Sequence, residues 1–260
     1  MNTSTQPTPK RLGAKKLLLI IAISTLAGCA TVTHPDPDDP WESYNRSMFQ
    51  FNEQVDKVFM KPVAQMYEQL TPQPARNCIS NIFANLRDLW SSFNSFLQGR
   101  GHDGMNSFGR VLFNSTMGLG GCIDVASTQG SKRIPNDFGV TLGVWGVGSG
   151  PYFVLPFIGP STVRDGGAML GTFAADLSPL TPVFTIDNIR LRNTIFGVDA
   201  VSLRANLLSA DDLVDRIALD RYSFIRDAYL QRRNALIQGK PVDADSPYTS
   251  DTLPDYEDDL

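Results

Sequence analysis

Residues that could carry out catalysis are few in this chain of 260 residues, which has only two histidines. His34 lies in a proline-rich stretch, and His102 lies in a glycine-rich turn between two predicted helices. A histidine in such a turn caps a helix more often than it acts as a base. Gly148-Ser149-Gly150 is no nucleophile elbow, because position 147 is valine rather than glycine. The sequence also has no phosphate loop, dinucleotide fingerprint or Cys/His metal spacing. It therefore predicts no catalytic residues, no metal and no cofactor.

One cysteine does indicate a chemical modification. The amino terminus has four positive charges and then an apolar run from Leu17 to Leu26, which is typical of a secretory signal. The signal ends in Leu26-Ala27-Gly28-Cys29, which matches the lipobox of bacterial lipoproteins. The sequence thus predicts cleavage after residue 28 and a diacylglycerol thioether on Cys29. Alanine rather than aspartate follows the cysteine, which by the usual sorting rule indicates the outer membrane.

The charge balance argues against nucleic acid as a partner. Cleavage removes four of the 23 Lys and Arg residues and none of the 27 Asp and Glu, so the mature chain is acidic. Two further cysteines, Cys78 and Cys122, remain after lipidation. An envelope location permits a disulfide between them, and two small buried apolar residues are the alternative.

Two polar stretches flank the predicted folded region. Residues 29–40 include the run Thr-Val-Thr-His-Pro-Asp-Pro-Asp-Asp-Pro, which we interpret as a tether between the lipid and the fold. Its three aspartates invite a calcium interpretation, but the glycine and closing glutamate of a calcium loop are absent, so a solvated linker is favoured. Residues 241–260 form an acidic tail that we predict to be disordered. This leaves one helical domain at 41–240.

The most unusual stretch of that domain runs from Phe138 to Val163 without a formal charge. It is long enough to span a bilayer, but its six glycines and three prolines exclude a simple spanning helix. We interpret it as short extended pieces joined by a glycine turn at 148–150. Irregular backbone must be buried in protein or line a cavity. A buried hairpin of a soluble core and a cavity lining are therefore both open. The candidates for a lining are Leu142, Gly143, Val144, Trp145, Gly146, Val147, Gly148, Gly150 and Tyr152.

Helical periodicity dominates the rest of the domain. Apolar residues recur every three or four positions from Trp41 to Phe59, where Pro62 is expected to stop the helix. A second helix is expected to end at Gly99, and a third to follow it. A small-residue helix should begin near Arg164. A long helix is expected at 186–208, and a last one from an N-cap at Ser209 to Gln238. The Asp and Glu residues mostly accompany Arg on helix faces, which is typical of a solvated surface.

Several motifs in this order resemble the VacJ/MlaA family of outer-membrane lipoproteins. The likeness extends from Asp39 to about Gly239 and includes Asn45, Arg46, Phe51 and Asn52 in its first helix. The segments that show the likeness are at 39–49, 72–77, 81–86, 113–121, 123–126, 138–143, 146–152 and 226–232.

This resemblance implies a mainly α-helical ring in the periplasmic leaflet of the outer membrane, held by interfacial helices and the Cys29 lipid. An amphipathic channel through it would take mislocalised phospholipid from the outer leaflet and pass it to a soluble periplasmic carrier, MlaC. The family also associates with trimeric porins. Two other functions stay open: a structural, porin-binding lipoprotein that moves no lipid, and a lipid hydrolase that uses His102. Arg190 and Arg192 match no family motif, and we interpret them as exposed helix arginines.

Overall fold

The structure is a computed structural model that describes residues 37–175, 183, 186–240 and 242. Several predicted features lie outside the described residues: the signal peptide, Cys29, the tether up to residue 36, the break at 178–182, and the acidic tail apart from Val242.

The described chain is mainly α-helical, as the sequence predicts. Its helices are α1 Glu42–Val55, α2 Lys61–Leu70, α3 Gln73–Leu97, α4 Gly101–Thr116, α5 Val125–Thr128, α6 Phe138–Val144, α7 Val163–Ala174, α8 Ile189–Asn206, α9 Leu208–Ile217 and α10 Arg221–Ile237. A π-helical turn covers Asp56–Met60, and strands β1 Tyr152–Leu155 and β2 Gly159–Thr162 form a hairpin. Among the described helices, none combines the length and the apolar character needed to cross a membrane.

Pro62 does not stop the first helix, so this prediction is wrong. The π-helical turn leads α1 directly into α2, and Pro62 lies in the first turn of α2. Proline removes one backbone donor, and the π-helical turn directly before it, in which the Lys61 amide donates to the Asp56 carbonyl, accommodates the change in hydrogen-bond pattern. Helix α2 ends at Leu70, and its C-cap Thr71 has the extended backbone expected for a residue before proline.

Helices α3 and α4 form an antiparallel hairpin that is closed at both ends. At the turn, Gly99 has φ +74°, and the amides of Gly99 and Arg100 donate to the carbonyls of Phe96 and Ser95. This is a Schellman termination, which favours glycine. At the open end, a disulfide joins Cys78 to Cys122. The two cysteines therefore pair, and the alternative of two unpaired buried residues is wrong.

The first part of the uncharged segment is a helix, not the extended pieces that we predicted. The Asp137 carboxylate caps α6 by accepting a hydrogen bond from the amide of Val140 at 3.0 Å. Gly146, at φ +93°, ends the helix in a second Schellman motif. The hairpin comes later than predicted. It pairs Tyr152 with Thr162 and Leu155 with Gly159.

The carboxyl-terminal region contains two helices where the sequence predicted one. Helix α9 begins at Leu208, so Ser209 lies inside it rather than at its N-cap. Helix α10 begins after Asp220, whose side chain accepts from the amide of Tyr222 at 3.1 Å. Tyr222 packs with Tyr152 and Val154 in a buried cluster, which brings α10 against the hairpin.

Candidate functional site

A cavity of about 1130 Å³ lies among α3, α6, α7, α8, α10 and the hairpin. Its wall includes large apolar side chains, namely those of Trp90, Phe138, Leu155, Ile158, Met169, Phe173, Leu203, Ile225 and Leu236. The wall also includes charged side chains of both signs, from Arg87, Arg133, Arg232, Arg233, Asp88, Asp124, Asp137 and Asp165. The cavity is therefore amphipathic.

The first charged cluster beside the cavity is built around Arg110 of α4, whose side chain is fully buried. Its Nε lies 3.0 Å from Asp88 Oδ2 of α3, and its Nη2 lies 2.8 Å from Asp124 Oδ2. Arg133 adds a second positive charge, with Nε 3.3 Å from Asp88 Oδ1. Burial raises the pKa of the Asp88 carboxyl in spite of both arginines. The cluster thus holds two arginines and two aspartates and ties α3 to α4 and to the segment after α5.

The second charged cluster joins α6, α7 and α10. Arg233 of α10 donates from both Nη atoms to the two carboxylate oxygens of Asp137, one of them at 2.9 Å. Its Nε lies 2.9 Å from Asp165 Oδ2, and the Tyr229 hydroxyl donates to the same oxygen at 2.8 Å. Arg164 pairs with the other oxygen of Asp165 at 2.9 Å. Burial opposes ionisation of Asp137 and Asp165, but the charge of Arg233 holds the pKa of both carboxyls below its ordinary value.

We expect Asp124→Asn to lower the free energy of unfolding by about 2 kcal/mol at neutral pH. Burial opposes ionisation of Asp124, but hydrogen bonds from Ser127, Arg110 and Asn114 hold the pKa of its carboxyl at about 2. A depressed pKa contributes stability that is complete above the unfolded pKa and is lost as the pH falls through the folded one. The deficit of the variant should therefore shrink between about pH 4 and about pH 2.

Urea denaturation of the detergent-solubilised protein at several pH values measures this deficit. Asp187→Asn, at an exposed position, is the matched control and should change stability little. A deficit of the Asp124 variant that is equally large at both ends of the pH range contradicts the assignment.

Two asparagines of the family motif hold the hairpin against α1. Asn45 is fully buried, donates to the Tyr152 carbonyl at 3.1 Å and accepts from the Val154 amide at 2.8 Å. Asn52 repeats this pattern two helical turns later, with the Leu155 carbonyl and the Phe157 amide, each at 2.8 Å. The two side-chain amides therefore satisfy backbone groups along one edge of β1.

The other two motif residues support the same arrangement. Arg46 lies 4.4 Å from the ring centroid of Tyr222, and its Nη2 lies 2.7 Å from Asp220 Oδ2. Phe51 packs edge-to-face against Phe157, which lies between the two strands, at 5.4 Å. Since the hairpin presents Leu155 and Ile158 to the cavity, the motif residues position part of the cavity wall.

The residues predicted to line a lipid passage do not lie in this cavity wall. Leu142, Gly143 and Val144 are half-buried in α6, positions 145–150 are exposed, and Tyr152 is buried in the core cluster. The indole of Trp145 donates to the Leu97 carbonyl at 3.0 Å and so packs the loop against the end of α3. The same uncharged segment does reach the cavity on either side of these candidates, through Phe138, Gly139, Leu155, Ile158, Pro160 and Ser161. A role of 142–152 in lipid passage stays a prediction.

The charged side chains of the wall were not predicted from the sequence, because Asp and Arg residues on helix faces were interpreted as a solvated surface. That interpretation is wrong for Arg110 and Asp88, whose side chains are 0% and 1% exposed. A usable signal was Asp137, an acid directly before an apolar glycine-containing run, which is typical of an N-cap. His102, in contrast, lies in the first turn of α4 with its side chain 96% exposed, and it is not part of the cavity wall.

Comparison with known proteins places the chain in a family. A family model described as MlaA lipoprotein matches residues 37–236. The "Intermembrane phospholipid transport system lipoprotein MlaA" of Escherichia coli K12 is 39% identical over 228 residues, which are 85% of this chain and 88% of the relative. The protein of the same name in Haemophilus influenzae is 32% identical over 246 residues, 92% of this chain and 95% of the relative.

A solved structure gives the same result for the fold. It is described as "Structural basis for maintenance of bacterial outer membrane lipid asymmetry" and superposes with a TM-score of 0.64 at 40% sequence identity. The match covers 76% of this chain and 98% of the other. The mainly helical fold and the resemblance to this family are thus confirmed, and the chain belongs to the MlaA lipoprotein family.

Proposed function

We propose that this protein removes mislocalised phospholipid from the outer leaflet of the outer membrane and hands it to a periplasmic carrier. The relatives named for intermembrane phospholipid transport and the related structure named for lipid asymmetry support this role. The observation that carries the proposal for this chain is the amphipathic cavity. Its volume of about 1130 Å³ is at least as large as that of ordinary small-molecule sites.

The apolar and the charged side chains of the cavity wall match the acyl chains and the head group of a phospholipid. Acyl chains gain free energy when they leave water for an apolar surface such as that of Trp90, Phe138 and Ile158. A head group needs charged and hydrogen-bonding partners, and the ion-paired clusters supply both. A soluble enzyme site with this wall would need a reactive group, and His102 lies outside it.

The outer surface of the protein supports a location at a membrane. Large apolar side chains are exposed along α2 and its preceding turn and around the end of α4, which a water-soluble monomer rarely permits in contiguous patches. They are Val58, Phe59, Val63, Met66, Leu70, Leu112, Phe113, Met117 and Leu119. In the proposal these faces lie in the membrane interface, in the inner leaflet of the outer membrane.

The predicted lipid on Cys29 adds an anchor at a limited distance from the fold. Asp39 is fully buried and accepts hydrogen bonds from Asn45 at 2.7 Å and from the Tyr222 hydroxyl. Nine residues lie between Cys29 and Asp39, so the thioether lies within about 35 Å of this point. The proposal includes a trimeric porin as membrane partner and MlaC as the carrier, both taken from the family resemblance.

The decisive test is whether the protein carries phospholipid. We expect native mass spectrometry of the full-length protein, after gentle detergent extraction from outer membranes, to show bound phospholipid. A scaffold that only binds a porin would be free of lipid. Repeated absence of lipid from protein that is folded and processed would refute the proposal.

We expect Ile158→Asp to block lipid passage without preventing folding. Ile158 lies in the cavity wall and is 62% exposed, so a carboxylate there costs little in the apo protein but opposes acyl chains. Phospholipid should then accumulate in the outer leaflet to nearly the level seen without the protein. Surface phospholipid and protein abundance, measured in the same cells, give the result.

Leu219→Asp is the matched control for that variant. It makes the same change from a branched apolar side chain to a carboxylate, and Leu219 is fully exposed and does not line the cavity. The control should keep surface phospholipid near the wild-type level. Equal accumulation in both variants would mean that the cavity is not the lipid path.

A further inference from the structure

Building on the proposed function, we propose that the cavity selects phospholipids whose head group is zwitterionic. The head group it would take has one phosphate and one ammonium, as in phosphatidylethanolamine. Anionic phospholipids such as phosphatidylglycerol would be disfavoured. The balance of the charges in the cavity wall and the exposure of each charge favour this selectivity.

The described residues of the cavity wall have no net charge. They include four arginines and four aspartates, most of which are paired with each other in the two charged clusters. An anionic lipid would therefore bring one uncompensated negative charge into a partly enclosed site. A zwitterionic lipid brings both charges and keeps the balance. Net charge alone thus favours the zwitterion.

Among the wall charges whose ion pairs the structure describes, the two most exposed have opposite signs. The side chains of Arg87 and Asp137 are 41% and 46% exposed. The other groups of these ion pairs are 20% exposed or less, namely Arg133, Arg233, Asp88, Asp124 and Asp165. Arg232 also lines the cavity and is half-buried. A lipid entering the cavity therefore meets a guanidinium and a carboxylate as the most exposed of the ion-paired charges.

Each accessible group matches one end of the head group. The guanidinium of Arg87 has five N–H donors, and its Nη2 donates to Asp199 Oδ1. A guanidinium is well suited to binding phosphate. Asp137 accepts from Arg233 and from the Val140 amide, and its exposed face is available to an ammonium. Burial opposes its ionisation, but Arg233 keeps the pKa of this carboxyl low, so it stays negative at envelope pH.

The test is a competition between two lipids. Full-length, lipidated protein is incubated with vesicles of equal phosphatidylethanolamine and phosphatidylglycerol content and identical acyl chains, and the bound lipids are measured by mass spectrometry. We expect the bound fraction to be enriched in phosphatidylethanolamine by about three- to tenfold. With Asp137→Asn the bound ratio should fall to that of the vesicle.

The substitution is chosen to remove charge and to keep structure. Asparagine caps a helix as well as aspartate does, so the start of α6 is retained. Asp227→Asn is the matched control. Asp227 also pairs with an arginine (Arg226), at 2.8 Å, and is 52% exposed, but it does not line the cavity. This control should keep the wild-type lipid ratio.

The outcomes separate this inference from the proposed function. Wild-type protein that binds neither lipid refutes the lipid-transport proposal itself. Wild-type protein that binds both lipids in the vesicle ratio supports transport but overturns the selectivity. Loss of selectivity in the Asp227 control to the same extent as in the Asp137 variant also overturns it, because the effect would not be local. If the Asp137 variant fails to fold, the wild-type ratio still decides.

Discussion

Replacing Arg110 with methionine is expected to lower the free energy of unfolding by about 3–5 kcal/mol. The arginine side chain is fully buried and lies within 3.0 Å of the carboxylates of both Asp88 and Asp124. Methionine fills similar volume but leaves Asp88, itself 1% exposed, with only Arg133 as a cationic partner. A buried charge that loses a partner is costly because water cannot replace the partner. Since domains have only about 5–15 kcal/mol of stability, cellular abundance should fall as well.

A double substitution shows whether the cost comes from the stranded charge. Adding Asp88→Asn to Arg110→Met removes the buried carboxylate that has lost its Arg110 partner, so part of the lost stability should return. Arg216→Met, at an exposed position of α9, is the control and should change stability by less than about 1 kcal/mol. Urea denaturation measures all variants. A double variant that is no more stable than Arg110→Met alone would show that packing, not charge, accounts for the loss.

The helices with local signals could be predicted from the sequence. Helix α3 shows apolar residues at helical spacing, and its end is marked by Gly99, whose positive φ the Schellman motif requires. Helix α7 begins where predicted, beside Arg164. Periodicity, caps and terminating glycines involve residues close in sequence, so one sequence suffices to recognise them.

Helix α6 could not be recognised because its glycines have a tertiary role. Gly139 and Gly143 weaken a helix in isolation. In the fold, a Cβ on Gly143 would lie 2.6 Å from Ile237 Cδ1, and one on Gly139 would lie 2.6 Å from Arg233 Nη2. The glycines thus allow α6 to approach α10 closely enough to form the second charged cluster. Such a reason is visible only once both helices are placed.

The charged side chains of the cavity wall could not be predicted from the sequence for the same reason. Asp137 pairs with a residue 96 positions away, and Arg110 with one 22 positions away. The local sequence marks Asp137 as a candidate N-cap, but it does not show that Asp137 or Arg110 pairs with a distant residue. The four motif residues from the family resemblance were more informative, since two of them hold β1 directly.

Cys29→Ser is expected to abolish outer-membrane retention of the mature protein. The serine hydroxyl cannot form the thioether that the lipobox predicts, so the precursor should keep residues 1–28 and run as a larger species. Several acyl chains give stable anchoring where one is marginal, so their loss is a large effect. The exposed apolar faces of α2 and α4 cannot compensate, because the uncleaved precursor does not reach the outer membrane. Membrane fractionation with immunoblotting should show at least a tenfold loss, about 1.4 kcal/mol or more in partition.

The chain offers a matched control for this change in its two other cysteines. Cys78→Ser with Cys122→Ser makes the same chemical substitution and removes the disulfide, but it leaves the lipobox intact. This double variant should be processed normally and fractionate with the outer membrane. It should also lose stability by about 2–4 kcal/mol, because the α3–α4 hairpin is no longer closed at its open end. A Cys29 variant with wild-type size and fractionation would mean that the apolar faces alone hold the protein at the membrane.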